Sequence, residues 1–411
     1  MHIRGCIGII VLICIGIAFS TDRRHIRPRI VMACLLLQVA IGFVVLRVPM
    51  GQAALRIVST MVTRLLSYGD QGARFLFGPL VGPRMRDLFP DGGYVFAFQV
   101  LPSLVYVSAL IAILYHCGVM QAFARIFGRA LQRLLGTSPV ESFGAVITIF
   151  VGQSELPVAL GPYLAAMDRT ELFSVLCSGA ASVSGATLVG YVGLGIPADY
   201  LVAASFMAIP GGLMFGRILA PRGPENRTGS IDAARGAYHR AFFEAVMEGA
   251  LKGARTALAV AAMLVACIGL IALVNGILQA AGGAVGIPAL SLEYLMGFVF
   301  GPLAWLLGVS GRECGAVGSV LGLKVVVNEF VAYARLGPAI QAGHLSHRAA
   351  AIASFALCGF ANLSSVGLLV AAFGSQCPDR REEVARSSAR AVLGGMLSNL
   401  TSAAIAGIII Q

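Results

Sequence analysis

The chain has 411 residues, 58% of them hydrophobic and only 12% charged, and carries a formal net charge of +11. A soluble globular domain holds about 25% charged residues, so this composition excludes an ordinary soluble fold and places the chain among membrane proteins. The positive excess does not point to nucleic acid: Arg and Lys gather in short loops between apolar runs, and no basic stretch is interleaved with stacking aromatics.

A spanning helix needs roughly 20 mostly apolar residues. Runs that qualify fall at 5–20, 29–48, 94–117, 172–195, 199–218, 254–281, 349–374 and 387–410. Arg4 before the first run and Ala18-Phe19-Ser20 after it resemble a secretory signal. A second apolar run follows at once across a basic loop, however, so the first is read as a retained span. That loop, Thr21 to Arg29, sets Arg23, Arg24, Arg27 and Arg29 against Asp22 alone. Such loops stay cytoplasmic, which predicts a periplasmic N-terminus. Arg125, Arg129 and Arg133 recur on one helical stripe, as in a helix lying at lipid headgroups. Residues 222–251 form the longest polar stretch, read as a loop between two halves that ends in a helix from Ala237 to Lys252. The nine cysteines form no CxxC pair and lie mostly in apolar runs, where free thiols act as small hydrophobes.

Two apolar segments are broken. Gly144 to Leu164 contains Gly152-Gln153-Ser154-Glu155-Leu156-Pro157, and Tyr294 to Phe330 contains Gly301-Pro302, Gly308-Val309-Ser310-Gly311 and Asn328-Glu329. Gly and Pro break helices, and irregular backbone at membrane depth is tolerated only against protein or a watery cavity. Each segment therefore reads as a re-entrant hairpin, and each carries a glutamate near an amide: Gln153 with Glu155, and Asn328 with Glu329. A membrane-embedded ionisable residue costs roughly 2.5–3.5 kcal/mol on insertion scales and is a functional candidate by default. After each hairpin comes an apolar run interrupted by small polar residues, Ser182-Val183-Ser184 and then Asn362-Leu363-Ser364-Ser365. Paired broken segments in two halves point to a midplane binding site in a transporter. Two carboxylates, three amides, several hydroxyls and Phe360 suit a neutral polar solute with a flat apolar face. Lys324 is expected to pair with a carboxylate inside this cluster. No metal-ligand spacing and no nucleophile–base constellation is visible, so neither an enzyme nor a bound cofactor is predicted.

At these residues the chain resembles the concentrative nucleoside transporter family. Phe96 to Pro102 and Leu114 to Gln121 resemble its third span, and Gly152-Gln153-Ser154-Glu155 its first hairpin. Phe300 to Val309 and Asn328 to Tyr333 resemble its second hairpin, and Cys358 to Ser365 its late signature. The resemblance implies an all-α polytopic protein of about eight transmembrane helices plus two re-entrant hairpins. It further implies internal repeats, a scaffold and a transport domain, and a homotrimer in the lipid of a bacterial inner membrane. Residues 1–135 would hold N-terminal spans, the interfacial helix and part of the scaffold. Residues 136–220 would form half of the transport domain, 221–253 a polar loop and amphipathic helix, and 254–411 the other half with the remaining scaffold.

By resemblance, Gln153, Ser154 and Glu155 bond the nucleobase, with Thr187 and Leu258 beside it. Glu329, Asn362 and Ser365 bond the ribose, and Phe360 packs on the nucleoside. A sodium site would use Thr148, Val151, Ser182 and Val183. Threonine at 148 departs from the family's asparagine, which leaves sodium and proton coupling both open, with Glu155 or Glu329 as the carboxylate that would carry a proton. Val309-Ser310-Gly311 stands where the family has Val-Pro-Trp, and is expected to affect the second hairpin's tip. A channel or gating protein with a polar lumen is the competing reading.

Overall fold

The computed structural model describes residues 2–81, 95–221, 241–284, 286–287 and 290–410. Among them the regular structure is helical, as a bilayer demands of any chain that cannot close a barrel. The N-terminal part holds α1 (His2–Ala18), α2 (Pro28–Arg47) and α3 (Pro49–Phe77). In the loop between α1 and α2, Arg23 donates to the carbonyls of Ala18 at 2.7 Å and Ile17 at 3.1 Å. A cation there satisfies orphan carbonyls and opposes the negative end of the helix dipole. Sequence reading placed no element over α3, because Arg56, Arg64, Asp70 and Arg74 interrupt its hydropathy.

From Leu101 onward, one order of seven helices appears twice. The first set is α4 (Leu101–His116), α5 (Val119–Leu135), α6 (Pro139–Ile147), α7 (Leu156–Leu164), α8 (Arg169–Ala181), α9 (Gly185–Gly193) and α10 (Ala198–Leu219). The second is α11 (Phe242–Ala284), α12 (Leu292–Leu306), α13 (Cys314–Val326), α14 (Glu329–Gln341), α15 (His347–Leu357), α16 (Leu363–Gln376) and α17 (Arg381–Ile409). Packing repeats with the order: α5 lies on α6 as α12 lies on α13, and α8 on α10 as α15 on α17. Corresponding members also pack on each other, α4 on α11 and α10 on α17. The α4–α11 seam is close because Gly253 carries no side chain; a Cβ there would stand 2.7 Å from the Val105 Cα.

The polar residues 222–240 lie outside the described residues, and the helix expected from Ala237 begins among described residues at Phe242. Running 43 residues, α11 is about 65 Å long, well beyond a hydrocarbon core. α8, α10, α15 and the C-terminal half of α17 are almost wholly buried, whereas α11 exposes Leu258, Val265, Leu270, Leu273 and Ile277. On α5, Arg125, Arg129 and Arg133 face outward together with Ile126, Phe127 and Leu134, a mixed face suited to a lipid interface.

Three expectations need correction. The runs 172–195 and 349–374 are not continuous helices: α8 and α9 part at Ser182-Val183-Ser184, and α15 and α16 part at Cys358 to Asn362. Pro302 does not break its helix but sits inside α12. The break falls later, so Val309-Ser310-Gly311 belongs to the α12–α13 turn. The counterpart of the α6–α7 pair is α13–α14, whose turn is Val327-Asn328, and this brings Glu329 to a hairpin tip just as Glu155 is.

Candidate functional site

Four helix N-termini gather where the two repeats meet: α7 at Glu155, α9 at Ser184, α14 at Asn328 and α16 at Asn362. Three begin with a side-chain cap. Ser184 Oγ accepts from the Thr187 N–H at 3.2 Å, Asn328 Oδ1 from Val331 at 2.9 Å, and Asn362 Oδ1 from Ser365 at 3.0 Å. Capping consumes one orphan N–H per helix and leaves the positive end of each dipole facing the shared space.

Side chains from both repeats join there. Gln153 Nε2 donates to Ser365 Oγ at 2.8 Å, tying the first hairpin tip to α16. The Glu329 carboxylate accepts from Asn362 Nδ2 at 2.7 Å and from the Tyr191 hydroxyl at 3.1 Å. A carboxylate has about four lone-pair directions, so two donors leave Glu329 able to accept more. The Ser365 hydroxyl donates to the Phe360 carbonyl. Phe360 N–H donates to the Ser182 carbonyl at 3.2 Å, holding the break after α15 against the break after α8. Gly152 lies against Ser184 and the Phe360 ring; a Cβ there would stand 3.5 Å from the Ser184 Cβ and 3.6 Å from the ring edge. One buried acceptor, Gln153 Oε1, has no hydrogen-bond partner. An orphaned buried acceptor costs about 1–3 kcal/mol, which a bound donor relieves.

Glu155 is half-buried at the tip and pairs with Lys252 of α11 at 3.1 Å. Ser154 beside it is exposed, and the Thr187 hydroxyl bonds to Ser184 one turn before it. Leu258 is 71% exposed on α11 and is not gathered with the other groups. Met263, further along that helix, does reach the site: Asn328 Nδ2 lies 3.1 Å from its sulfur.

The four residues expected for a cation sit at the ends of α6 and α8. Thr148 is the C-cap of α6 and its hydroxyl donates to the Ala145 carbonyl at 2.7 Å, keeping its lone pairs available. Ser182 is the C-cap of α8. The carbonyls of Val151 and Val183 receive no hydrogen bond from the described residues. Hydroxyl and carbonyl oxygens at the negative ends of two helices fit a hard cation.

Lys324 does not pair with a carboxylate. Its ammonium donates to the Ala356 carbonyl at 2.8 Å and to Asn399 Oδ1 at 2.9 Å. Tyr191, Lys252, Met263 and Asn399 were not among the residues singled out from sequence. Asn399 alone left a signal, an amide within the apolar run 387–410.

Residues 200–407 match the C-terminal model of Na+ dependent nucleoside transporters, residues 7–80 the N-terminal model, and residues 97–198 a nucleoside recognition (Gate) model. The chain is 42% identical over 409 residues to the putative nucleoside permease NupX of Escherichia coli, covering 99% of this chain and 98% of that protein. It is also 42% identical over 407 residues to nucleoside permease NupC of Helicobacter pylori, covering 98% and 97%. The structure of CNTnw in an inward-facing substrate-bound state superposes with a TM-score of 0.94 at 45% identity, covering 100% of this chain and 98% of that one. A CNTnw variant in an intermediate state reaches 0.96 at 44% identity, covering 100% and 99%. Fold and site define a multi-pass membrane permease, not an enzyme. The chain belongs to the family of Na+ dependent, or concentrative, nucleoside transporters.

Proposed function

We propose that the protein is a symporter that imports nucleosides across a bacterial inner membrane, driven by a cation gradient. The observation that carries this reading is the buried, unpartnered Gln153 Oε1 together with the part-satisfied Glu329 carboxylate, both among the four gathered helix N-termini. A nucleobase offers N–H donors to Gln153, Ser154 and Glu155, with Thr187 lining that side and Leu258 closing on the base from α11. Ribose hydroxyls donate to Glu329 and bond Asn362 and Ser365, while Phe360 packs on the nucleoside face. Polar groups that exchange partners in this way hold a solute without trapping it.

The coupling ion sits at Thr148, Val151, Ser182 and Val183. The all-oxygen set supports sodium; the threonine at 148 keeps open a proton carried by Glu155 or Glu329. Eight spans and two re-entrant hairpins form each protomer of a homotrimer, with a periplasmic N-terminus. Residues 136–220 and most of 254–411 form a transport domain that alternates its access past a scaffold made largely from 1–135 and the long helix.

Radiolabelled uridine and adenosine uptake into proteoliposomes, with sodium and pH gradients imposed separately, tests this. Saturable uptake that follows one gradient is expected. Conductance without saturable nucleoside uptake would replace the reading with a channel.

A further inference from the structure

Lys324 is the one lysine in the buried core of the described residues, 2% exposed in the last turn of α13. Its head group lies at the C-terminal end of α15, donating to Ala356 O at 2.8 Å, and shares Asn399 with a wider set of carbonyls. Asn399 Nδ2 donates to Cys358 O at 2.8 Å and Ala181 O at 2.6 Å, so one lysine and one amide close the carbonyl ends of both α15 and α8. The node is tight. A Cβ on Gly359 would stand 2.0 Å from Asn399 Oδ1, so glycine is required beside it.

The repeat gives this node its meaning. α13 corresponds to α6 and α15 to α8, so the ammonium, carried on the last turn of α13 and bonded to the Ala356 carbonyl in the last turn of α15, lies at the corresponding pair of helix ends. The oxygens assigned above to a free cation occupy the end of α6 and the break after α8. Helix C-termini inside a membrane concentrate partial negative charge, which hydrogen-bond donors satisfy in part and a cation offsets most strongly. An ammonium carries three donors on a compact charge comparable to a hydrated-shell-free monovalent ion. Glu329 stands at the tip of the same hairpin, across the Val327-Asn328 turn.

We propose that Lys324 is a tethered cation filling, in the second repeat, the position that a free cation fills in the first. The second repeat then has a permanent monovalent cation site that never exchanges, and one free cation accompanies each nucleoside. The correspondence rests on the ion position proposed above; the ammonium's own bonds do not.

The test reads uridine affinity by calorimetry on the purified full-length protein across sodium concentrations at constant ionic strength. Linkage makes the log–log slope the number of cations taken up with the ligand, expected to be about 1 in the unaltered protein. Lys324→Ala empties the second position but keeps its oxygens. The slope is expected to rise to about 2, and methylammonium, a probe the size of the lost head group, is expected to tighten binding in the variant only. Lys324→Arg keeps the charge and the parent slope. A folded Lys324→Ala that keeps the parent slope and ignores methylammonium overturns the proposal. So does a Lys324→Met protein, neutral and of similar length, with unchanged Tm, affinity and slope. If both neutral variants fail to fold while Lys324→Arg folds, the requirement for a fixed charge stands; failure of Lys324→Arg as well makes the requirement one of shape and overturns it. A slope of zero in the unaltered protein removes the first-repeat ion position instead, and Lys324→Ala then still reports by acquiring a slope of about 1.

Discussion

The two repeats use the same frame and finish it differently. In the first, the ends of α6 and α8 leave the carbonyls of Val151 and Val183 without hydrogen bonds from the described residues, and Thr148 keeps spare lone pairs. In the second, Lys324 and Asn399 bond the Ala356 and Cys358 carbonyls at the end of α15 with side chains, and Asn399 also bonds the Ala181 carbonyl at the end of α8. Their tips differ as well. Glu155 stands half-buried and paired with Lys252 of α11, while Glu329 is buried between Tyr191 of the first repeat and Asn362 of the second. The first repeat thus keeps free oxygens at its helix ends, whereas the second has its helix end bonded by side chains and keeps spare acceptor capacity only at Glu329.

The sharpest way to break this contrast is at the buried tip. Glu329→Gln removes a charged acceptor that already holds two donors and, in the proposed reading, takes the ribose hydroxyls as well. Hydrogen bonds to charged groups are worth about 1.5–3 kcal/mol, so nucleoside affinity should fall roughly 10- to 100-fold with the Tm little changed. Calorimetry and thermal melting measured together check it; unchanged affinity would remove Glu329 from the site. Gln153→Leu probes the open tip. It deletes a neutral amide, worth about 0.5–1.5 kcal/mol, so a loss of roughly 2- to 10-fold is expected, below that for Glu329→Gln. Competition among uridine, adenosine and deoxyribonucleosides separates the two: Gln153→Leu should alter the ranking of bases, and Glu329→Gln the penalty for a missing hydroxyl.

How much of this was legible beforehand follows the same line. The first tip was readable because Gly152, Gln153, Glu155 and Pro157 interrupt an apolar run within a few residues. The second was displaced. Gly301-Pro302 advertises a break, yet α12 runs through Pro302 because surrounding helices can absorb a missing N–H in a membrane. The actual turn at Val327-Asn328 contains neither Gly nor Pro and is made by an asparagine cap, a signal that looks the same wherever asparagine occurs. Partners set by tertiary packing left little trace. Lys252 read as the polar end of a helix, Tyr191 and Met263 lie unmarked within the apolar runs 172–195 and 254–281, and the 29 residues of α3 were hidden by four charges.

An effect of comparable size and opposite sign should mark the open ion position. Thr148→Asn adds an amide oxygen at the end of α6, where the family carries asparagine. A hard cation gains one stronger ligand, so the sodium concentration giving half-maximal uptake should drop by roughly the tenfold that one good contact of about 1.4 kcal/mol supplies. Uptake measured against sodium at fixed pH checks it. If the drive is a proton, the same substitution should leave the pH profile unmoved and create a sodium response where none existed.

The least effect belongs to Lys252, and it bears most directly on why the first tip is the exposed one. Its pair with Glu155 bridges α11 and the hairpin, so any sliding of one past the other must break it. Both partners are partly in water, the Lys252 side chain 52% and the Glu155 side chain 28% exposed, which screens the attraction. Exposed pairs contribute about 0.2–1 kcal/mol, too little to lock the hairpin but enough to compete with a nucleobase for the carboxylate. Lys252→Met should therefore tighten nucleoside binding, by no more than about fivefold, and the gain should shrink as salt rises. A double-mutant cycle with Glu155→Gln isolates the pair. If Lys252→Met weakened binding to the same extent with or without Glu155, the lysine would be a ligand in its own right, and the open tip would owe its character to α11 rather than to the hairpin.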